Sequence, residues 1–107
     1  MEHGQFEEAA LYFAQSIALC PHFKTLELQG ECLLRLGRWR EAIVPLAAAS
    51  TLNLGVRAPS LLAEAFLLLG ESHDATFAAE LALSRDPKNR KALSVQAGIR
   101  AISHGDG

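Results

Sequence analysis

This sequence has few cysteines, no long apolar run and no excess of basic residues. Its two cysteines, Cys20 and Cys32, are too few and too unpatterned for a disulfide framework or a zinc site, so we expect reduced, buried thiols in a cytoplasmic protein. Apolar runs such as Ala65 to Leu69 are far shorter than the ~20 residues of a membrane-spanning helix. The N-terminus carries acids where a signal peptide carries positive charge. With a net charge of −2, the surface suits neither nucleic acid phosphates nor an anionic membrane.

Residues that could carry chemistry are scattered along the chain. Catalysis needs polar groups that converge in a cleft, and no histidine stands at a helical spacing from another histidine or a cysteine. The glycines suit turns and form no phosphate-binding loop. Glu7 and Glu8 fit the negative charge that a helix N-terminus favours better than they fit a catalytic pair. The sequence therefore predicts a protein that is not an enzyme and that binds no cofactor or metal. The four histidines are His3, His22, His73 and His104.

What the sequence does contain is an internal repeat. Gly4, Gly37 and Gly70 are separated by 33 positions each. An acidic residue followed by alanine stands four positions after each of these glycines. Repeat lengths of about 20–50 residues are typical of proteins built by stacking one structural unit. The length of 107 residues is that of one domain.

The periodicity predicts six helices and no strand. Apolar residues recur at spacings of three and four in segments 5–20, 24–36, 38–52, 60–69, 71–85 and 89–103. Pro21 and Pro87 each end a helix, because proline cannot donate to the preceding turn. Pro45 lies inside the third segment, where we expect a kink or a loosened turn. No segment alternates for long enough to form a strand, so the predicted fold class is all-α.

The spacing of large and small residues resembles the tetratricopeptide repeat, a helix-turn-helix unit of about 34 residues. The best-matched unit carries Leu26, Gly30, Leu33, Gly37, Trp39, Ala42, Leu46 and Ala49 at the family's positions. The first unit supplies Phe6, Ala9, Phe13, Ser16 and Pro21, and the third supplies Ala63, Phe66, Ala75, Ala79, Ala82 and Pro87. The resemblance implies an all-α superhelix of about six helices in stacked antiparallel pairs. Small residues would let the helices approach closely, while bulky neighbours fill the gaps.

The same resemblance divides the chain into repeats. It assigns 5–21 to the second helix of a first repeat, 24–54 and 59–87 to two complete repeats, and 89–103 to the first helix of a fourth. Gly98 and Gly105 are separated by seven positions, as Gly30 and Gly37 are. Gln29, Leu54 and Ser72 depart from the family pattern. A period of 33 also suits ankyrin, but that family's Thr-Pro-Leu-His signature is missing, and an RNA-reading pentatricopeptide array would need a basic groove.

A solenoid of this family displays a concave groove lined by the first helix of each pair. The resemblance places Lys24, Glu27, Glu31, Leu34, Arg57, Ser60, Leu61, Glu64, Leu67 and Leu68 on or beside that groove. It implies a non-catalytic scaffold that binds a peptide or helix of a partner protein, with apolar anchors and some Lys or Arg. The acids could equally be a solvated face. Because acids repel a carboxylate, they argue against a clamp for the C-terminal tails of heat-shock chaperones.

Two further features bear on partners. The segment from Ser60 to Leu69 is apolar on nearly all sides, so Leu61, Ala65 and Leu68 form a second stripe, either open to a partner or covered by neighbouring helices. Leu11, Tyr12 and Leu19 form another. Because the first and last units are half repeats, the chain is expected to be either a piece of a longer repeat protein or one that associates with another copy. The alternative function is therefore a structural or self-associating segment.

Overall fold

The computed structural model describes residues 22–105, with side chains through residue 102, as five consecutive helices. They are α1 (Phe23–Arg35), α2 (Trp39–Leu52), α3 (Arg57–Leu68), α4 (Ser72–Arg85) and α5 (Arg90–Gly105). These residues contain no strand, so the all-α prediction is confirmed. The predicted helix at 5–20, with its stripe of Leu11, Tyr12 and Leu19, lies outside the described residues. Helix α3 begins three residues earlier than predicted, since Pro59 fits its first turn.

The helices form antiparallel pairs that stack side by side. Helix α1 pairs with α2, and α3 pairs with α4, while α5 packs on both α3 and α4. Helix α3 contacts all four of the other described helices. The region is elongated, with principal dimensions of 47 × 28 × 20 Å. This is the stacked arrangement of helical pairs that the repeat predicted.

The two turns within the pairs are built identically, 33 residues apart. Gly37 and Gly70 have φ of +80° and +78°, the left-handed conformation that costs glycine least. The amide of Gly37 donates to the Leu34 carbonyl at 3.1 Å, and the amide of Arg38 donates to the Leu33 carbonyl at 2.9 Å. The corresponding amides after α3 make the same two bonds, at 3.0 and 2.9 Å. Each glycine thus ends a first helix and turns the chain into its partner.

Small residues form the contact between paired helices, as predicted. Ala42, Ala49 and Ala63 are fully buried, and Gly30 lies directly against the Leu46 side chain. A β-carbon added at Gly30 would stand only 2.4 Å from Leu46 Cγ. The backbone of α1 therefore approaches α2 more closely than any side chain at position 30 would allow. The third repeat continues the seam with Ala75, Ala78, Ala79 and Ala82, all buried.

Helix α2 continues through Pro45, which is buried inside it. The predicted kink at this residue stays a prediction. The carboxyl end of α2 is held from a distance by Arg85 at the end of α4. The Arg85 guanidinium donates to the carbonyls of Ser50, Asn53 and Gly55 at 3.1, 3.1 and 2.9 Å. A cation placed there neutralises the negative end of the helix dipole and satisfies carbonyls that have no partner within the helix.

Candidate binding face

The first helices of successive pairs, α1, α3 and α5, lie next to one another and share one face of the molecule. We call this the first-helix face; it carries the residues predicted to line the concave groove. Its charged side chains come from positions that recur along the chain. Glu31 and Glu64 are 33 residues apart, and Arg57 and Lys91 stand near the start of the following first helix. The repeat therefore brings acids of one helix opposite cations of the next.

Six of these side chains form one continuous chain of ion pairs, which we call the charge ladder. Arg57 of α3 reaches back to α1, with Nε 3.3 Å from Glu27 Oε1 and Nη2 bonded to Glu31 Oε1. Arg35 bridges the same two helices, with its guanidinium 3.7 Å from Glu31 Oε2 and 3.5 Å from Glu64 Oε2. The ladder ends where Lys91 Nζ of α5 donates to Glu64 Oε1 at 2.7 Å. Three carboxylates and three cations thus link three helices.

The carboxylates of the charge ladder lie deeper than its cations. The side chains of Glu27, Glu31 and Glu64 are 15%, 25% and 23% exposed, whereas those of Arg57 and Arg35 are 54% and 40% exposed. Burial raises the pKa of the Glu27 carboxyl; the Arg57 guanidinium opposes that shift by stabilising the ionised form. The outer layer of the first-helix face is therefore cationic, with the acids engaged beneath it.

The structure divides the predicted groove residues into two groups. Leu34, Ser60 and Leu61 are buried, at 3%, 3% and 1% exposure, and the Ser60 hydroxyl donates to the Arg57 carbonyl at 2.7 Å. These three residues support the face from below. The surface itself is formed by the remaining predicted residues, which are exposed or partly exposed: Lys24, Glu27, Glu31, Arg57, Glu64, Leu67 and Leu68.

Two ladder residues were missed by the sequence reasoning. Arg35 stands four residues after Glu31, a spacing that brings side chains together on a helix and could have been recognised. Lys91 carries no local signal, because its partner Glu64 lies in another helix. The sequence suggested that the acids on this face favour a basic partner and repel a partner carboxylate. Both inferences left out the cations of the same chain that pair with those acids.

The second apolar stripe of the third repeat is covered, not open. Leu61 and Ala65 are 1% and 0% exposed, because α3 has another helix on every side except the first-helix face. Only Leu68, at 42% exposure, reaches solvent. Of the two alternatives for this stripe, cover by neighbouring helices therefore applies to Leu61 and Ala65, and only the leucine at the end of α3 remains accessible.

No other feature of the described region forms a site as well defined as the charge ladder. A cavity of about 360 Å³ opens between α1 and α2, with Leu26, Leu33 and Pro45 on its apolar wall and the Arg38–Glu41 ion pair at its edge. Among residues 22–102, no group of three or more His, Cys, Asp and Glu side chains could hold a metal ion. None of the helices described is both long and apolar enough to cross a membrane.

Comparison with known proteins bears on the fold. No protein-family model matches the sequence, and no curated protein sequence matches it significantly. Among solved structures, an Hsp90 co-chaperone, Cns1 from Saccharomyces cerevisiae, matches with a TM-score of 0.82 and 25% identity over 94% of this chain. The chain spans only 34% of the length of that yeast chain. The first TPR domain of human RPAP3, solved by NMR, matches with a TM-score of 0.84 and 20% identity, covering 96% of this chain and 84% of that domain. With its paired helices and glycine turns, the chain has a tetratricopeptide-repeat-like fold.

Proposed function

We propose that this chain is a non-catalytic protein-interaction module that binds a peptide or helix of a partner protein on its first-helix face. The fold supports a binding role, since solved structures similar to it include a TPR domain and a co-chaperone. Repeat solenoids of this kind carry extended concave surfaces that bind other proteins. In this chain we assign that role to the first-helix face, and its charged and apolar groups determine which partners can bind.

The observation that carries the proposal is the layering of the charge ladder. Arg35 and Arg57 expose their guanidinium groups above carboxylates that are mostly covered. Each guanidinium contacts two carboxylates of the ladder, but it carries five N–H donors, and those left over can bond the carboxylate of a partner. Leu68, next to this layer in the repeat, offers an apolar contact. We therefore expect a partner segment that combines acidic groups with an apolar anchor.

This expectation replaces the basic partner that the sequence suggested. A partner lysine would have to displace Arg57 or Arg35 from carboxylates they already hold. A partner carboxylate meets cations that are more exposed and displaces nothing. Because each cation is already bonded beneath, its side chain is ordered before binding, and less rotamer entropy is lost when the partner arrives.

A peptide-library selection tests the proposal. The 107-residue chain is used as bait, and enriched peptides are measured by fluorescence anisotropy against Arg57→Glu and Leu68→Glu. We expect acidic peptides with an apolar residue, whose affinity falls at least about tenfold in both variants and weakens with added salt. Val44→Glu is the matched control, since Val44 is 74% exposed on α2, outside the first-helix face. Selection of basic peptides, or equal loss in the Val44 control, would contradict the proposal.

A further inference from the structure

The connections between successive helical pairs meet at one edge of the molecule, which we call the linker edge. Residues 53–56 connect α2 to α3, and residues 86–89 connect α4 to α5. Arg85, at the end of α4, joins the two connections, because its guanidinium donates to the carbonyls of Asn53 and Gly55 in the first of them. Side chains of both connections therefore belong to one continuous surface.

Hydrogen bonds fix the backbone of both connections. In the first, the Gly55 amide donates to Asn53 Oδ1 at 2.6 Å. In the second, the Lys88 amide donates to Asp86 Oδ1 at 3.1 Å, and the Asn89 side chain accepts a backbone amide of the first turn of α5 at 2.9 Å. The side chains of the linker edge are thus presented from an ordered backbone, so little chain entropy is lost when a ligand binds there.

Two cations of the linker edge have no partner in the part of the chain that the structure describes. Lys88 and Arg90 are exposed, and neither side chain makes a hydrogen bond or an ion pair there. The neighbouring cations are engaged, Arg85 by carbonyls and Lys91 by Glu64. Arg90 also lies in the first turn of α5, where the helix dipole disfavours a positive charge. Neither intrachain pairing nor helix stability therefore accounts for the charges at positions 88 and 90.

Exposed leucines accompany these cations. Leu54 is 83% exposed in the first connection, between the two residues whose carbonyls Arg85 binds. Leu52, two residues earlier, is 58% exposed. Apolar side chains scattered singly on a surface need no explanation, but these two leucines lie together beside unpaired cations. Apolar groups bordered by charged ones are typical of surfaces that bind proteins.

We propose that the linker edge is a second docking surface, which binds an acidic peptide segment of a partner protein. Lys88 and Arg90 would pair with carboxylates of the segment, and Leu54 would contact one of its apolar residues. The acid of this edge, Asp86, does not substitute for those carboxylates, because its Oδ1 is bonded to a backbone amide. A basic segment would meet two unpaired cations instead. This surface is additional to the first-helix face, since none of these residues belongs to that face.

A titration followed by nuclear magnetic resonance tests the proposal on the 107-residue chain. The probe is a synthetic peptide of glutamates with one central leucine. We expect it to shift the amide signals of residues 53–56 and 86–90, with an affinity that falls as salt is added. Two control peptides, one with glutamine for glutamate and one without the leucine, should bind this edge at least about fivefold more weakly.

Matched variants of the chain locate the binding. Lys88→Glu and Arg90→Glu should each weaken the peptide's effect on the linker-edge signals at least about fivefold, whereas Arg100→Glu, the same reversal elsewhere on α5, should change it less than about twofold. Leu54→Ser should weaken binding, and Val44→Ser, at another exposed apolar position, should not. All five positions are exposed, so each variant should keep its melting temperature.

Failure of this proposal is distinguishable from failure of the proposed function, because the two surfaces respond to different variants. Leu68→Glu, at the far end of α3, should leave the linker-edge shifts in place, and Arg90→Glu should leave those of the first-helix face. A peptide that shifts only first-helix signals, or that binds Arg90→Glu as well as Arg100→Glu, overturns the proposal.

Two other occupants of the linker edge are outcomes of the same set of variants. Vesicles of phosphatidylserine and phosphatidylcholine that bind in place of the peptide, and lose binding in Arg90→Glu, would assign the edge to a membrane surface. A mass that rises with protein concentration and is restored to one chain by Leu54→Ser, without peptide binding, would assign it to a second copy. Either result overturns the proposal.

Discussion

Replacing Gly30 by alanine should destabilise this protein, although the same change usually stabilises a helix. The ideal β-carbon would lie 2.4 Å from Leu46 Cγ and 2.5 Å from Leu46 Cδ2. Non-bonded carbons normally approach to about 3.5–4.0 Å, so the overlap exceeds about 1 Å. Leu46 is fully buried, and its Cγ is not a terminal atom that can rotate away. The helix pair must therefore separate, or Leu46 must leave its preferred rotamer.

The net effect is a difference of two terms. Overpacking a dense core typically costs about 1–3 kcal/mol, and replacing a helical glycine by alanine returns about 0.5–1 kcal/mol. We expect a loss of about 1–2 kcal/mol in the free energy of unfolding, measured by urea denaturation followed by far-UV circular dichroism. For a domain of this size, the melting temperature should fall by about 5–15 °C.

Gly98→Ala is the matched control. Its β-carbon would lie 3.1 Å from Leu67 Cδ2, a terminal methyl of a partly buried side chain that can move. That variant should be neutral or more stable by up to about 1 kcal/mol. Leu46→Ala should cost about 2–5 kcal/mol alone, yet combining it with Gly30→Ala should cost less than the sum, since the new methyl fills part of the cavity. Stabilisation by Gly30→Ala, or strict additivity in the cycle, would refute this account of the seam.

Three further predictions concern the turns, the α2 terminus and the charge ladder. Gly37→Ala and Gly70→Ala should each lower the free energy of unfolding by about 1–2 kcal/mol. The two losses should be similar, because both glycines have positive φ and no atom within 4 Å of the added methyl. Unequal urea midpoints would show that the turns are not equivalent. Arg85→Ala should lower the free energy of unfolding by about 2 kcal/mol, because three carbonyls lose their hydrogen-bond donor. Arg85→Lys should recover only part of this loss, since an ammonium cannot reach all three carbonyls. Full recovery by lysine would mean that charge alone matters. Since burial raises the pKa of Glu27 in the folded chain above 4.5, its ionisation lowers stability as the pH rises from 4.5 through the folded pKa. Glu27→Gln should remove that decline from melting curves taken across acidic pH, and an unchanged pH profile would contradict the assignment.

Much of the fold was predictable because its determinants are local. Gly37 and Gly70 indicated the two turns, since glycine adopts a left-handed backbone at the lowest energetic cost. Alanines at a spacing of three and four indicated the contact between paired helices, since that spacing puts them on one side of a helix. The ends of helices were less predictable: α3 begins at Arg57, three residues before its predicted start, because the first turn gains most of its stability from packing on neighbouring helices.

The first-helix face was predicted less completely than the fold. Most of its exposed residues follow from the repeat register, but the burial of Leu61 does not, because its cover comes from helices distant in the sequence. The sign of the outer charge does not follow from the repeat register either. Glu31 and Glu64 lie 33 positions apart, yet which charge lies outermost depends on where Arg57 and Lys91 reach from the next helix.

By itself, the sequence determined that paired helices recur every 33 residues, because backbone preference and side-chain periodicity act within a few positions along the chain. The tertiary structure alone decided which apolar and charged groups remain accessible. Exposure depends on what a neighbouring helix covers: Leu61 and Leu28 occupy equivalent positions in their repeats, yet one is 1% and the other 42% exposed. The difference lies in what packs beside them, which no local pattern of residues records.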